Sequence, residues 1–209
     1  MSPNRHLRTN IGLLLLGFLL AFPAIAAGLY IYIRYGNPPV ATADPAFPDE
    51  AKIVHIPLNA RIDRQLQTPP FTATPAGLEA GAHIYAVHCA MCHGTPGQDA
   101  AFAKWMYPVS PQLWAKHGHG VVGVSDDEPG ETYWKVANGI RLTGMPSFNH
   151  LLSTDQMWQV SLLLKNADQP LPSPVSAILN SASVPSNQSP AEPTQTPLPS
   201  KHPAPPAPH

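Results

Sequence analysis

The prolines of this 209-residue chain are placed so unevenly that they leave room for only one ordinary packed domain. Proline fixes φ and has no N–H to give to a helix interior or a central strand. The chain has 27, more than twice ordinary usage. Two fall in residues 1–36, eight in 37–76, five in 77–169 and twelve in 170–209. Only 77–169 has the proline density of a folded domain. The expected organisation is therefore a membrane element (1–36), a proline-rich spacer (37–76), a domain (77–169) and a tail (170–209).

Residues 11–33 carry no charge. As a helix they span about 35 Å, enough for a hydrocarbon core of roughly 30 Å. Arg5 and Arg8 precede the run and Arg34 follows it, which puts the N-terminus in the cytoplasm and the rest outside. Tyr30, Tyr32 and Tyr35 suit the far interface. Ala24-Ile25-Ala26 offers a small-x-small cleavage site, so a cleaved signal peptide competes with an uncleaved anchor. The apolar run continues through Ile33 and favours the anchor. The expected location is the cell membrane, single-pass, with the domain facing the periplasm; the alternative is a soluble periplasmic protein.

In the spacer, helical turns are expected from Asp49 to Gln67, interrupted at Pro57. The tail has only Glu192 and Lys201 as charges and is dominated by Pro, Ser, Ala and Thr. Such a composition buries too little apolar surface to offset chain entropy, so disorder is expected from Pro170 onward, with His202 and His209 uninvolved. The net charge of −1 offers nothing to nucleic acid.

Both cysteines fall in one pentapeptide, Cys89-Ala90-Met91-Cys92-His93. Two cysteines exclude a disulfide-dense scaffold and a four-cysteine metal site. Cys-x-x-Cys alone is ambiguous, but the adjoining histidine makes it read as c-type haem attachment. Two thiols three residues apart near a helix end can each add to one haem vinyl group, and the next residue points its imidazole at the iron. A thioredoxin-like site wants a βαβ surround that is not visible here. One haem would consume both thiols.

A sixth iron ligand, or an open position, must lie elsewhere. The candidates downstream are Met106, His117, His119, Met145, His150 and Met157. Met145 stands out in Gly144-Met145-Pro146, where small and rigid neighbours present a thioether in a tight loop. Met157 sits in a helical pattern with Trp158, Leu162 and Leu163 and reads as core. Met106, between Trp105 and Tyr107, reads as loop packing against the cofactor. His117 and His119, in what reads as a mobile surface loop, are the main rivals; His83 and His88 read as surface positions on the first helix.

Residues 78–166 resemble a class I c-type cytochrome domain of the small bacterial monohaem kind. Three blocks carry the resemblance: residues 81–94 around the pentapeptide, 133–148 around Gly144-Met145-Pro146, and 152–164, which hold Trp158. The resemblance implies an all-α cytochrome c fold, with three main helices and loops around one covalent haem, beside the N-terminal transmembrane helix. It implies that Cys89 and Cys92 bind haem c, that His93 is the proximal ligand and Met145 the distal one. It also implies a helix crossing at Gly81, Tyr85 and Trp158. A proline-rich loop, here residues 108–113, would supply a carbonyl for the ligand histidine, with the particular carbonyl left open. The residues agree independently. Gly81 and Tyr85 share one helix face. Ser153 with Gln156 is a capping-box signature. Pro129-Gly130-Glu131 opens a helix that Asn138-Gly139 closes. Trp105, Trp134 and Arg141 are candidates to line the haem or meet its propionates.

A His/Met pair closes both axial positions and favours electron transfer. The expected function is a membrane-anchored cytochrome, not an enzyme, carrying single electrons between donor and acceptor proteins of a respiratory or dehydrogenase chain. Residues 71–168 hold five Lys/Arg and eight Asp/Glu, with Asp126, Asp127, Glu128 and Glu131 clustered; the expected docking surface on a partner is basic or apolar. Two alternatives stand: a haem subunit of a larger oxidoreductase, or an open-site haem enzyme of peroxidase or gas-binding type involving His117 or His119.

Overall fold

A computed structural model of the chain describes residues 3–118 and 120–182. Among these residues it is helical, with one two-stranded hairpin. Two compact units are separated inside a helix, Met1–Pro57 and Leu58–His209.

The first unit holds α1 (Pro3–Tyr35) and the start of α2 (Glu50–Gln65). Within α1, Asn10–Tyr35 is long and apolar enough to cross a membrane, and all of it is exposed. It is a possible membrane anchor or signal sequence. The loop before α2 folds on its own carboxylates: Asp44 accepts from the Val40 and Ala41 amides, both at 2.8 Å, and Glu50 from the Phe47 amide at 2.9 Å.

The expected interruption at Pro57 does not occur; α2 runs unbroken through it. A proline costs a helix the bond its own N–H would have made, but the residues beyond it are held from outside. Ile62 is buried, and Gln65 Oε1 accepts the Trp134 indole N–H at 2.8 Å. Gln67 lies directly against Gly130, where a Cβ would strike the Gln67 carbonyl oxygen. Residues 58–67, expected as helical turns of the spacer, thus pack as part of the second unit.

The core of the second unit is α3 (Pro75–His88), α5 (Pro129–Asn138) and α6 (Thr154–Lys165), the three helices expected from sequence. Thr74 caps α3 through the Gly77 amide at 3.1 Å, with Pro75 in the first turn. α6 begins with the anticipated capping box: Ser153 Oγ accepts from the Gln156 amide at 3.2 Å, and Gln156 Oε1 from the Ser153 amide at 2.8 Å. α3 crosses α6 at Gly81, where a Cβ would stand 2.5 Å from the Gln159 carbonyl oxygen. Ala82 and Tyr85 on α3, and Trp158, Val160 and Leu163 on α6, are buried at this contact or beside it. α5 adds Tyr133, whose ring stacks on Trp158 with centroids 4.1 Å apart.

The sequence reading ends the folded domain at 169, and the structure corrects it. Helix α7 (Ser173–Ser181) follows and packs against α3. Val175 and Leu179 are fully buried, with Ile178 packed beside them. These three sit at i, i+3 and i+4, one apolar stripe in a proline-rich surround. Pro174 lies in the first turn, where a missing N–H costs nothing. The rest of the expected tail, with His202 and His209, lies outside the described residues.

Candidate haem-binding site

The Cys-x-x-Cys-His run sits where α3 ends. Cys89 closes α3 through its amide to the Tyr85 carbonyl at 2.9 Å, and in the same place opens α4 (Ala90–His93), a single turn. The His93 amide returns to the Cys89 carbonyl at 2.9 Å. Cys89, Cys92 and His93 are therefore at i, i+3 and i+4 of one helical turn and share its face. Both thiols are free and half-buried. Gly94 then reverses the chain at φ 73°, and a Cβ there would strike the Gln98 carbonyl.

Three side chains fasten this turn. The Tyr85 hydroxyl donates to the Gly94 carbonyl at 2.8 Å. Gln112 Nε2 donates to the Thr95 and Gln98 carbonyls at 2.8 and 3.2 Å, and its Oε1 accepts from the Trp114 amide at 2.6 Å. His93 Nδ1 meets the Pro111 carbonyl at 2.7 Å, with Ser110 Oγ at 3.2 Å. The loop 108–113 supplies the expected carbonyl, and Pro111 is the residue that provides it. A donor N–H at Nδ1 leaves the Nε2 lone pair for a metal.

Electrostatics favour the neutral imidazole. Burial lowers the His93 pKa, opposed by the bond to Pro111. Burial pushes the Cys89 thiol up to about 12, with Cys92 adding to it. The Tyr85 hydroxyl is also raised, first by burial and then by Cys89, so it stays a donor.

Met145 lies in a loop closed on the end of α5. Gly139 ends that helix at φ 66°, and a Cβ there would stand 2.7 Å from the Ser147 nitrogen. Ser147 Oγ donates to the Ala137 carbonyl at 2.7 Å and the Phe148 amide to Val136 at 3.0 Å. Inside the loop, the Ile140 amide reaches the Met145 carbonyl at 3.2 Å, and Thr143 Oγ1 accepts from the Met145 amide at 3.1 Å. Met145 itself is half-buried against the core. Leu142 at the tip is 92 % exposed with φ 63°.

Other candidates separate from this group. Met157 is core, as expected. His117 is on the surface, as expected, but in a short hairpin: β1 (Lys116–His117) pairs antiparallel with β2 (Val121–Val122), and His117 Nε2 bonds the Gly123 carbonyl. His119 lies outside the described residues. His83, His88 and His150 are exposed, His88 with its ring edge-on to Phe148 at 6.1 Å. Trp134 gives its indole N–H to Gln65, which occupies the donor proposed for a propionate. Trp105 is 72 % exposed beneath Lys104 Nζ, and Arg141 is exposed. Sequence reasoning passed over Gln112 and Trp114, whose importance depends on a loop folding back across fourteen or more residues and leaves no periodic signal.

Residues 76–162 match the family model described as cytochrome c oxidase, cbb3-type, subunit III. They form a c-type cytochrome domain. A search of curated proteins gives no match. The cytochrome match stops within α6, so α1, α2 and α7 lie outside it.

A c-type cytochrome domain implies covalent haem c and a role in electron transfer rather than catalysis. The residues present suit that group. Two thiols and an imidazole share one face of a turn. Among the described residues, the buried Trp114 Nε1–H has only the Tyr85 hydroxyl turned toward it, and not in hydrogen-bond geometry. A buried donor of this kind suits a cofactor carboxylate.

Proposed function

We propose that the domain carries single electrons through one haem c held by Cys89 and Cys92, with His93 as proximal and Met145 as distal ligand. Bound there, haem c supplies the one-electron couple of its iron. The observation that carries this reading is the His93–Pro111 bond on a turn that presents both thiols on the same face. Cys89 and Cys92 fix the group's position by covalent attachment. Pro111 fixes the tautomer and ring orientation of His93, and burial lowers the pKa of that ring. Met145, on a loop bonded at both ends to α5, would close the sixth position to small molecules. A thioether there favours the reduced state and raises the potential.

The length and uncovered apolar surface of α1 support a membrane-anchored protein. The excess of Arg5 and Arg8 before the span supports a domain on the periplasmic side, working between a donor and an acceptor of a respiratory chain. The family description favours a second reading, in which the chain is a permanent subunit of a larger oxidase. Copurification of a fixed partner in mild detergent decides between them.

The test is a spectrum and redox titration of the wild type and Met145→Ala. The variant is expected to lose the methionine–iron charge-transfer band of the ferric protein and to fall in potential. An unchanged band and potential would remove Met145 from the iron.

A further inference from the structure

Gly144, the residue before Met145, has an ordinary backbone conformation; its φ is outside the left-handed region that calls for glycine. A neighbour explains it instead. A Cβ at this position would run into the Met106 methyl group, and the Met106 sulfur would stand 4.0 Å from it. The missing side chain is a notch, and the Met106 thioether fills it.

Met106 comes from the segment that also holds His93. It leaves a 3-10 turn (Ala103–Trp105) through its amide to the Ala103 carbonyl at 3.1 Å. Among residues 104–109 it alone is half-buried, while its neighbours on both sides are exposed. Four and five residues on, Ser110 and Pro111 contact His93 Nδ1. One short segment thus touches the imidazole through its far end and the Met145 loop through its near end.

We propose that Met106 is a positioning residue for Met145: its methyl group, seated in the Gly144 notch, holds the 140–145 loop in the conformation that presents the Met145 sulfur. This rests on Met145 being the distal ligand. The exposed tip at Leu142 packs against nothing; the loop's own bonds hold its shape, and the notch contact adds the one side chain from the 103–111 segment that seats against Gly144. The role needs apolar volume and not sulfur chemistry, which separates it from that of a second ligand.

The test uses the full-length holoprotein in detergent, with two readouts. One is the ferric methionine–iron charge-transfer band; the other is the affinity of the ferric protein for added imidazole, which binds only where the distal methionine is off. Met145→Ala is expected to abolish the band. Met106→Ala is expected to weaken it and to tighten imidazole binding about tenfold, the change that follows when the ligand-off population rises tenfold. Gly144→Ala is expected to do the same by expelling the Met106 methyl. The double variant Met106→Ala/Gly144→Ala is expected to match Met106→Ala alone, because with the Met106 side chain gone the added methyl has nothing to expel. Met106→Leu, the conservative change, is expected to keep the band. Wild-type band and affinity in Met106→Ala would overturn the proposal and leave Met145 as ligand; so would a double variant as weak as the product of the two singles. A band that survives Met145→Ala and is lost in Met106→Ala would overturn both readings and place Met106 on the iron.

Discussion

The crossing of α3 and α6 at Gly81 can be tested by adding one methyl group. In Gly81→Ala the new Cβ would stand 2.5 Å from the Gln159 carbonyl oxygen, 2.9 Å from its carbon and 3.2 Å from Leu163 Cβ, whereas ordinary contact begins at 3.4 Å. The first two are backbone atoms inside a helix and cannot rotate away, so the helices must part by about 1 Å across a close-packed interface. Overpacking of this kind costs about 1–3 kcal/mol. Alanine is the better helix former by about 1 kcal/mol, which opposes the loss. With backbone on one side of the clash, the strain belongs at the upper end, leaving a net destabilisation of about 1–2 kcal/mol. For a folded unit of about 125 residues that lowers Tm by about 4–8 °C. The measurement is thermal unfolding followed by far-UV circular dichroism, with His83→Ala, an exposed change on the same helix, as control; it should stay within about 0.5 kcal/mol of wild type. A Tm in Gly81→Ala equal to or above wild type would show that propensity dominates and that the two backbones are not in contact at this point.

Leu179→Ala should destabilise the second unit by about 2–4 kcal/mol, because the side chain is fully buried under α3; denaturant unfolding that matches wild type would show that α7 is not docked. Tyr85→Phe should cost about 1–2 kcal/mol by leaving the Gly94 carbonyl without its donor, measured in the same way. The Asp127 carboxyl is raised, first by burial and against the pull of Lys135 at 3.4 Å. The folded state therefore holds this proton to higher pH than the unfolded chain, whose group titrates near the usual 3.8. Stability from this group is present at low pH and is lost as pH rises through the raised value. Asp127→Asn should gain on wild type as pH is raised from about 4 to neutrality; a constant difference across that range would contradict the sign.

What was legible in the sequence is what local spacing decides. The Ser153/Gln156 cap, the glycine of the helix crossing and the i, i+3, i+4 relation of Cys89, Cys92 and His93 are all fixed within a few residues. The loop that serves His93 was legible as a stretch, but selecting Pro111 requires the loop's three-dimensional course. The Trp134 indole N–H goes to Gln65, 69 residues away, a pairing that no local spacing reveals. Helix α7 was hidden by averaging: three apolar residues at helical spacing vanish in a forty-residue window dominated by proline, serine and alanine. Pro57 misled for a related reason, since a single breaker is outweighed by the tertiary contacts of Ile62 and Gln65 beyond it.

The loop bearing Met145 begins and ends on the same helix. Gly139 leaves α5, and Ser147 and Phe148 return to the carbonyls of Ala137 and Val136. Such a closed excursion behaves as a cassette. Its tip, at Leu142, is almost fully solvent-exposed. Extra residues inserted there would lengthen the loop without shifting the register of α5 or α6, since both stems are fixed by the same helical turn. The sulfur's environment can thus diverge among related chains while the scaffold beneath it keeps its length and spacing.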